Sequence, residues 1–488
     1  MMEANHEKIN NDTKGNFVTP SEESELKINP KDPRLLDTIA RKYKVRIVGE
    51  EKNIKTLVCC LVSKNLPKQY RLSVIISNQS STGKSHLLNI VLEAFRNADN
   101  DEVIDYTDFT EAHFKRSQHN VNGKIIKLEQ LERRNENGQL SFQRLKHLLS
   151  EGRLKFGLVD KNKKGQNKAT DFEIVGVPII VTTATEFSID SETANRFLMM
   201  QLDESDNQTD KIIDHTLSKY SQLESNEQWQ ENLEDLSKFF KNLRKMAQHV
   251  DGIVIPFAHK LKDIIPKNLE IRRDLPKILN LTCIIAFIHG LNRPHLRDEN
   301  GRNFFNDQWG KTEKEYTYQI IALPEDFIEA VEIAGATLNQ TINKSSQKLM
   351  EVHRLLKKKY DEKIGEELGI TVLELAPLVG LSENRTREYL KELVEKGFAY
   401  KDESEKIYKY CPTEKKFSQL NPSNIIFSKE ELQDWIKDQI RGKEDRFSVV
   451  MPCDDENERN PPNLDTESEQ TTNDFLSRGI VDSSWDKT

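Results

Sequence analysis

The sequence predicts an α/β fold with a largely parallel sheet, followed by a helical subdomain and then by a smaller helical unit. Short, nearly continuous apolar runs alternate with amphipathic stretches between about residues 35 and 250. Such runs are typical of strands that are buried on both faces of a parallel sheet. Helical periodicity then dominates from residue 251 to about 344. The length of 488 residues also requires more than one domain, because a single core stops growing at roughly 250–300 residues.

The predicted strands of the first region are four apolar runs. They are LSVIIS (72–77), EVIDY (102–106), KIIKLE (124–129) and VPIIVTT (177–183). The clearest predicted helices of the next region are DLPKILNLTCIIAFIHGLN (274–292) and PEDFIEAVEIAGATL (324–338). The sequence contains no internal repeat.

The two ends of the chain differ from its middle in composition. Residues 1–33 are polar and poor in aromatic side chains, which predicts a disordered arm. Residues 451–488 carry ten acids against three bases and predict an acidic disordered tail. An apolar island from Phe475 to Trp485 is either a docking peptide for a protein partner or a set of stray apolar residues in a solvated tail. Most of the formal net charge of -8 lies in this tail, so that charge does not exclude a nucleic-acid partner.

The five cysteines indicate the cellular compartment. They are Cys59, Cys60, Cys283, Cys411 and Cys453. Their odd number and the absence of a CxxC pair favour a reducing compartment and argue against a zinc ribbon. Residues 1–16 lack the apolar core of a secretory signal, and no run of 18 apolar residues occurs. We therefore expect a cytoplasmic, nucleoid-associated protein without a transmembrane helix.

A phosphate-binding loop is predicted where LSVIISNQSSTGKSHLLNIVLEAF (72–95) gives the order strand, loop, helix. Backbone N–H groups from Asn78 through Ser80, Ser81, Thr82 and Gly83 would cradle the phosphates of ATP. Lys84 would reach the β and γ phosphates, and the Ser85 hydroxyl would bind Mg²⁺. Asn78 stands where the usual GxxxxGK[ST] pattern has its first glycine. Asparagine tolerates positive φ better than most residues, so we expect this departure to be mild.

A carboxylate at a strand end must hold the metal, and a second one usually orients the attacking water. In GKIIKLEQLE (123–132), Glu129 takes the metal position and Gln130 the water-activating position. Glutamine cannot accept a proton, so hydrolysis requires Glu132 or a one-residue shift that makes Glu129 the base. The alternative is that Glu129 is an ordinary exposed acid at a strand end.

Thr182, Thr183 and Thr185 lie near the carboxyl end of the strand at 177–183, where open parallel sheets bind ligands. One of them either senses the γ-phosphate or simply fills a strand as a β-branched residue. Arg196 precedes a further apolar run. It either completes the site of a neighbouring subunit or forms a salt bridge within its own chain.

Two strand-like runs, GRLKFGLV (152–159) and ATDFEIVGV (169–177), predict a β-hairpin. The segment that joins them carries Lys161, Lys163, Lys164 and Lys168. Four lysines on such a turn either bind the DNA backbone without sequence preference or are merely solvated.

Residues 371–412 predict two helices around a turn at 380–382, followed by a two-stranded ribbon, with Ser382 as the N-cap of the second helix. This unit resembles a winged helix, in which the N-terminal end of the second helix enters the DNA major groove. The side chains at that end are Asn384, Arg385 and Arg387. The same helix carries four glutamates, so docking of a protein or of another domain is the alternative.

Taken in order, residues 38–340 resemble AAA+ ATPases, and within them the branch of the minichromosome maintenance (MCM) helicases and related phage and plasmid replication ATPases. The resemblance rests on the following segments: 47–66, 77–85, 141–185, 195–197, 202–209 and 271–287. It implies that Lys84 and Ser85 act on phosphate and metal, with Glu129 at the metal. It also implies Thr185 or Thr183 as sensor 1, Arg196 as arginine finger, and Arg273 or Arg272 as sensor 2. The sequence departs from the family pattern at Asn78, at Gln130 and at the threonine sensor.

The expected architecture is therefore a P-loop AAA+ parallel sheet with an α-helical lid subdomain, a winged helix and disordered termini. Its expected parts are an arm (1–33), an ATPase core (34–250), a lid (251–345), a winged helix (346–415), a helical extension (416–450) and an acidic tail (451–488). The expected function is that of an ATP- and Mg²⁺-dependent, DNA-binding protein of replication, a helicase-like motor or origin-melting factor in a hexamer-like ring. The alternative is an initiator or regulator that binds ATP and DNA but hydrolyses ATP slowly. A third possibility is that the winged helix recruits a protein and DNA contact is incidental.

Overall fold

The computed structural model describes most of the chain between residues 27 and 452. The described ranges are 27–78, 82–99, 102–106, 120–128, 147–161, 167–184, 196–221, 226–267, 271–298, 317–343, 345, 347–363, 369–402, 408–417, 422 and 425–452. For 156–161, 167–172, 336–342 and 347 it describes the backbone without the side chains.

A five-stranded parallel sheet forms the centre of the first region. Its strands are β1 (Val74–Ser77), β2 (Val103–Tyr106), β3 (Ile125–Leu128), β6 (Ile179–Ala184) and β7 (Leu198–Met200). Their order is β2-β3-β6-β1-β7, and each pair of neighbours is parallel. Every residue of β1 and β6 is buried, as the apolar runs predicted. The α/β prediction is thus confirmed, and the carboxyl ends of these strands share one edge of the sheet.

Helices cover one face of this sheet and form the largest hydrophobic core with it. They include α1 (Leu35–Tyr43), α2 (Glu51–Val62), α3 (Lys84–Ala98) and α5 (Glu227–Ala247). The intervening helix α4 (Asp206–Ser221) is largely exposed and contributes no residue to this core. Phe95 of α3 stacks on Phe240 of α5 with ring centroids 4.1 Å apart. This contact fixes the helix that follows the predicted phosphate loop.

The predicted hairpin is present as an antiparallel pair, β4 (Arg153–Lys161) and β5 (Asn167–Val175). Its register runs from Arg153 opposite Val175 to Lys161 opposite Asn167. Gly176, with a φ of 104°, follows β5, and a Cβ atom there would collide with the backbone of Asn122. The glycine therefore lets the hairpin leave the sheet close to the chain before β3.

A second sheet occurs in the region that was predicted to be helical, and here the prediction was incomplete. Its strands are β8 (Val250–Val254), β9 (His295–Asp298), β10 (Thr317–Ile321) and β13 (Phe447–Val450), in the order β13-β9-β10-β8. The predicted helices are also present, as α6 (Ile271–Ile288) and α7 (Pro324–Asn343). β9 and β10 are short and rich in polar residues, and β9 pairs with a strand about 150 residues away. Local periodicity does not report such a pairing.

The next unit has its own hydrophobic core. It contains α8 (Gln347–Glu362), α9 (Val372–Val379), α10 (Glu383–Glu395) and the two-stranded ribbon β11 (Ala399–Asp402) and β12 (Lys409–Pro412). Thr371 and Glu374 form a capping box at the start of α9. Ser382 caps α10 by accepting a hydrogen bond from the backbone N–H of Arg385, as the sequence predicted.

The predicted helical extension contains a helix and also the strand β13. The helix, α11 (Lys429–Ile440), packs with β9, β10 and β13 in a small apolar cluster. Arg446 forms two-pronged hydrogen bonds of 2.6–3.1 Å with the buried carboxylate of Asp298. The extension thus returns to the second sheet. No helix in the described ranges is long and apolar enough to cross a membrane.

Candidate nucleotide-binding site

The predicted phosphate loop lies at the carboxyl edge of the main sheet. β1 ends at Ser77 and α3 begins at Lys84, so the loop joins a central strand to the N-terminus of a helix. Residues 79–81, which include Ser80 and Ser81, lie outside the described residues. An open parallel sheet binds ligands at this edge, and a helix N-terminus favours anions.

Gly83 is the N-cap of α3 and has a φ of 85°. A Cβ atom at this position would meet no other atom within 4 Å. The left-handed backbone, rather than a lack of space, is therefore what makes glycine the suitable residue here. Beside it, Thr82 is half-buried and the Ser85 side chain is exposed at the loop.

The Lys84 side chain folds back onto the loop. Its Nζ atom donates a hydrogen bond of 2.9 Å to the backbone carbonyl of Asn78. Partial burial lowers the pKa of Lys84, and the nearby carboxylate of Glu204 acts in the opposite direction. Lys84 therefore lies beside the start of the loop, between a backbone acceptor and an acid.

Asn78 has a different role from the one expected. Glu50 is the non-glycine residue with positive φ among the described residues, so Asn78 does not adopt the positive-φ backbone for which asparagine was expected to replace glycine. Its buried side chain instead accepts a hydrogen bond from the backbone N–H of Leu202 at 2.7 Å. It donates to the Leu202 carbonyl at 3.2 Å and to Glu204 Oε1 at 2.9 Å. A glycine at this position would lack all three bonds.

A second set of hydrogen bonds holds the segment 201–208, which follows β7. Glu50 accepts a bond of 2.8 Å from the backbone N–H of Asp203, and Asn53 donates one of 2.9 Å to the carbonyl of Gln201. Gln208 donates to the carbonyl of Val48 at 2.7 Å. Burial raises the pKa of Glu50, although the bonds from Asn53 and Asp203 oppose that shift. The segment 201–208 is thus fixed from the loop side and from the start of α2.

The predicted catalytic residues adjoin the end of β3. This strand comprises four residues and ends at Leu128, so positions 129 and 130 follow it directly. Glu129 and Gln130 themselves lie outside the described residues. Thr183 is buried in β6 opposite Ile76 of β1, one residue before the end of each strand. Thr185 lies outside the described residues.

The three predicted arginines lie apart from the loop or have no described contact with it. Arg196 is exposed and precedes the amino end of β7, where Leu198 pairs with Val74. The loop follows the carboxyl end of β1, so Arg196 is at the opposite edge of the sheet. Arg272 and Arg273 are exposed at the start of α6. None of the contacts described for either residue joins it to the loop.

The predicted DNA-contacting residues occupy two places. Lys161 and Lys168 lie in the last two pairs of the β4–β5 ladder, whereas Lys163 and Lys164 are outside the described residues. Arg385 pairs with Glu388 of its own helix at 2.7 Å. Arg387 donates a hydrogen bond of 3.2 Å to Asn384. The side chains at the N-terminal end of α10 are exposed and bonded to one another.

Sequence reasoning missed the parts played by Glu204, Glu50 and Asn53 around the loop. One signal for Glu204 was present in the sequence. Asp203 and Glu204 follow the apolar run of β7, and acids after a buried parallel strand lie at the ligand-binding edge of a sheet. The Glu50 and Asn53 contacts join residues about 150 positions apart in the chain, and no local sequence pattern predicts them.

Comparison with known proteins gives limited similarity. No protein-family model matches the chain, and no curated protein matches it. A full-length MCM homologue from Methanopyrus kandleri is similar in structure, with 14% sequence identity and a TM-score of 0.36. The match covers 64% of this chain and 60% of the homologue. The RuvB Holliday junction branch migration motor of Thermotoga maritima has 12% identity and a TM-score of 0.25, over 76% of this chain and 96% of RuvB. These TM-scores are too low to establish a shared overall fold.

Proposed function

We propose that this protein is an AAA+ ATPase that binds Mg²⁺-ATP and acts on DNA as a ring-forming oligomer. The observation that carries the proposal is the placement of Gly83, Lys84 and Ser85. They join a central strand to the N-terminus of α3 at the carboxyl edge of a parallel sheet of order β2-β3-β6-β1-β7. A nucleoside triphosphate requires this arrangement, because in a phosphate-binding loop the backbone N–H groups and the helix N-terminus both face the phosphates.

In the proposed site, each residue has a role that its position allows. Lys84 exchanges its bond with the Asn78 carbonyl for the β and γ phosphates when ATP binds. Ser85 and Glu129 hold Mg²⁺, which would supply charge neutralisation at the phosphates. Thr183 or Thr185, at the end of β6, senses the γ-phosphate, and Arg272 or Arg273 contacts the nucleotide from α6.

Arg196 is proposed to act on the site of a neighbouring subunit. β7 runs parallel to β1, and Arg196 precedes Leu198, the first residue of β7. This arginine therefore lies at the edge of the sheet away from its own loop. At about 3.3 Å per residue, roughly four strand residues separate the two edges by about 13 Å. An arginine at that edge cannot reach its own nucleotide, but it can complete a site in trans. This is the main support for a ring.

The DNA-binding part of the proposal rests on the β4–β5 hairpin and on the unit 346–415. The backbone ladder brings Lys161 and Lys168 next to the turn that carries Lys163 and Lys164. Such a cluster attracts the DNA backbone without reading its sequence. We propose that the unit 346–415 is a winged helix, because α8, α9, α10 and the β11–β12 ribbon have the order that this fold requires.

A second candidate function is an initiator or regulator that binds ATP and DNA but hydrolyses slowly. The observation that favours it is Gln130, in the second position after a strand that ends at Leu128. A glutamine at the position of the general base orients water but does not accept its proton. The two functions share the nucleotide site and differ in turnover.

Steady-state ATP turnover of the purified chain, with and without single-stranded DNA, tests the proposal. We expect the wild-type protein to bind labelled ATP and Lys84→Ala to lose most of that affinity. Lys241→Ala, on the exposed side of α5, is the matched control for charge and size. If Lys84→Ala binds ATP with normal affinity, the proposed nucleotide-binding site is wrong. Binding without DNA-stimulated turnover selects the slow-hydrolysing function.

A further inference from the structure

A cavity of about 560 Å³ opens on the α8 side of the unit 346–415, away from the predicted recognition helix α10. Its wall is formed mainly by one face of α8 and by Lys416 and Phe417, which lie a few residues beyond the end of the ribbon at Pro412. The lining residues are Met350, His353, Arg354, Lys357, Lys358, Asp361, Glu362, Lys416 and Phe417. Four of these side chains are cationic and two are acidic, so the lining is positively charged.

Within the described part of the chain, three of the four cations have no acidic partner. Lys358 lies 3.9 Å from Glu362, which is a weak pair at the surface. By contrast, no ion pair or side-chain hydrogen bond joins Arg354, Lys357 or Lys416 to another residue in the described part of the chain. Their charge is therefore available to a ligand. The predicted DNA contacts of α10 differ in this respect, because Arg385 and Arg387 are bonded within their own helix.

An aromatic wall borders the cations. Phe417 is half-buried and stacks on Phe398 with ring centroids 3.9 Å apart. The ring of His353 meets Phe417 edge-on at 5.2 Å. His353 is 6% exposed, and its Nε2 atom has no hydrogen-bond partner among the described residues. Burial, with a smaller effect from Lys357, lowers the pKa of His353, so this ring is neutral near pH 7.

We propose that this cavity binds a strand of single-stranded nucleic acid, with its phosphates at Arg354, Lys357 and Lys416 and a base against Phe417 and His353. Single-strand sites combine a positive groove for the backbone with aromatic rings for the bases. Asp361 and Glu362 lie at one end of the cavity, where their carboxylates can accept hydrogen bonds from the N–H groups of bases. The carboxylates of an acidic peptide would be repelled there, and such a peptide does not supply a regular alternation of anions and flat rings, so a nucleic acid fits this lining better.

The inference rests on the DNA-binding part of the proposed function and gives that DNA contact a specific location. It does not rest on the nucleotide site. It places the contact on the face of α8 and makes α10 a minor contributor.

The test uses the full-length protein and a fluorescent oligothymidylate of roughly 20 nucleotides, longer than the ~4–16 nucleotides that a single-strand site covers. The double variant Arg354→Ala/Lys357→Ala is compared with Arg441→Ala/Lys437→Ala. The control removes the same two residue types from the exposed side of α11, where each is paired with an aspartate. Thermal unfolding of both variants shows that the fold is retained.

We expect the cavity variant to bind the oligonucleotide about tenfold more weakly at low salt, with the slope of log affinity against log salt reduced by about 1.4, or ~0.7 per lost contact. The control should match the wild type. Phe417→Leu, which keeps an apolar side chain in the wall, should lower the affinity roughly fivefold or more if a base stacks there.

Three results would overturn the inference. If the wild type binds DNA and the cavity variant binds equally well, the cavity is not a contact and the proposed DNA association stands without it. If the wild type does not bind DNA at all, the DNA-binding part of the proposed function also fails. If polyglutamate competes as well as unlabelled oligothymidylate of equal charge, the cavity is a general anion site and not a nucleic-acid site.

Discussion

The side-chain amide of Asn78 donates a hydrogen bond of 2.9 Å to the carboxylate of Glu204, across the carboxyl edge of the main sheet. The backbone carbonyl of Asn78 accepts from Lys84 Nζ at the same distance. One residue therefore links the lysine that is expected to bind phosphate to the segment 201–208, which leads into α4. A ligand that draws Lys84 away changes the charge around Glu204 directly, without a relay through the core.

Replacing Asn78 with glycine restores the usual loop pattern and removes this link. Three hydrogen bonds to Leu202 and Glu204 are lost from a buried site, so we expect a loss of about 3 kcal/mol in the free energy of unfolding, at ~1 kcal/mol for each net bond. Urea unfolding measures this loss. We also expect faster amide hydrogen exchange in residues 201–208, because their anchor on the loop side is gone.

Glu204→Gln is the matched control for that change. It removes the negative charge but keeps an oxygen that accepts from Asn78, so exchange in 201–208 should stay close to that of the wild type. Equal protection of 201–208 in Asn78→Gly and the wild type would show that the bonds from Glu50 and Asn53 alone hold the segment.

The sequence predicted the parallel sheet and the hairpin because their signals are local. The apolar runs of β1 and β6 are continuous, and the two runs of the hairpin flank a polar, glycine-containing turn. The second sheet was not predicted, because His295 to Asp298 carries three polar side chains in four residues and gains its pairing from Phe447 to Val450. A strand of that kind is defined by its partners and not by its own pattern.

The phosphate loop could be located from Gly83, Lys84 and Ser85, but the role of Asn78 could not. A departure from a motif shows that something differs, and it does not show which distant residue compensates. Here the compensating groups are Leu202 and Glu204, more than 120 residues away in the chain. Only the adjacency of β7 and β1 brings them together.

Changing Lys163 and Lys164 to alanine is expected to weaken DNA binding in a salt-dependent way. For single strands, each phosphate contact contributes about 0.7 to the slope of log affinity against log salt, so the slope should fall by about 1.4. Fluorescence anisotropy at several salt concentrations measures it. Lys241→Ala/Lys437→Ala removes the same charge from the exposed sides of α5 and α11, outside both proposed DNA-contacting parts, and serves as the control. If the slope of log affinity against log salt is unchanged in the hairpin variant, the hairpin does not contact DNA.

Arg293 and Asp326 form a buried ion pair, and removing one of its two partners should be strongly destabilising. The guanidinium of Arg293 bonds both oxygens of the fully buried Asp326 carboxylate at 2.6–3.1 Å, and the acid also accepts from the backbone N–H of Leu323 at the start of α7. Burial opposes the charge of Arg293, but Asp326 outweighs it and raises the pKa of the arginine. Removing one partner of such a pair typically costs about 3–5 kcal/mol, because the other charge stays buried.

We therefore expect Arg293→Ala to lower the free energy of unfolding by about 3 kcal/mol, measured in urea. Arg293→Lys should recover part of this loss, since a lysine keeps the charge but cannot bind both oxygens. A loss below about 1 kcal/mol in Arg293→Ala would show that the pair behaves as an ordinary surface ion pair.

Gln130→Glu separates the two functions proposed for this protein. β3 ends at Leu128, and we propose that residue 130 stands where a carboxylate would take a proton from the attacking water. General-base catalysis typically raises the rate roughly 10²–10⁴-fold, and a glutamine, which cannot accept the proton, loses most of that rate.

If the wild type is a slow-hydrolysing initiator or regulator, the variant should turn over ATP at least about tenfold faster with unchanged ATP affinity. If the wild type is a motor that uses Glu129 or Glu132 as base, Gln130→Glu should leave turnover nearly unchanged, whereas Glu129→Gln or Glu132→Gln should abolish it. Turnover measured at saturating ATP with single-stranded DNA distinguishes these outcomes, and unwinding of a forked duplex by the wild type would favour the motor.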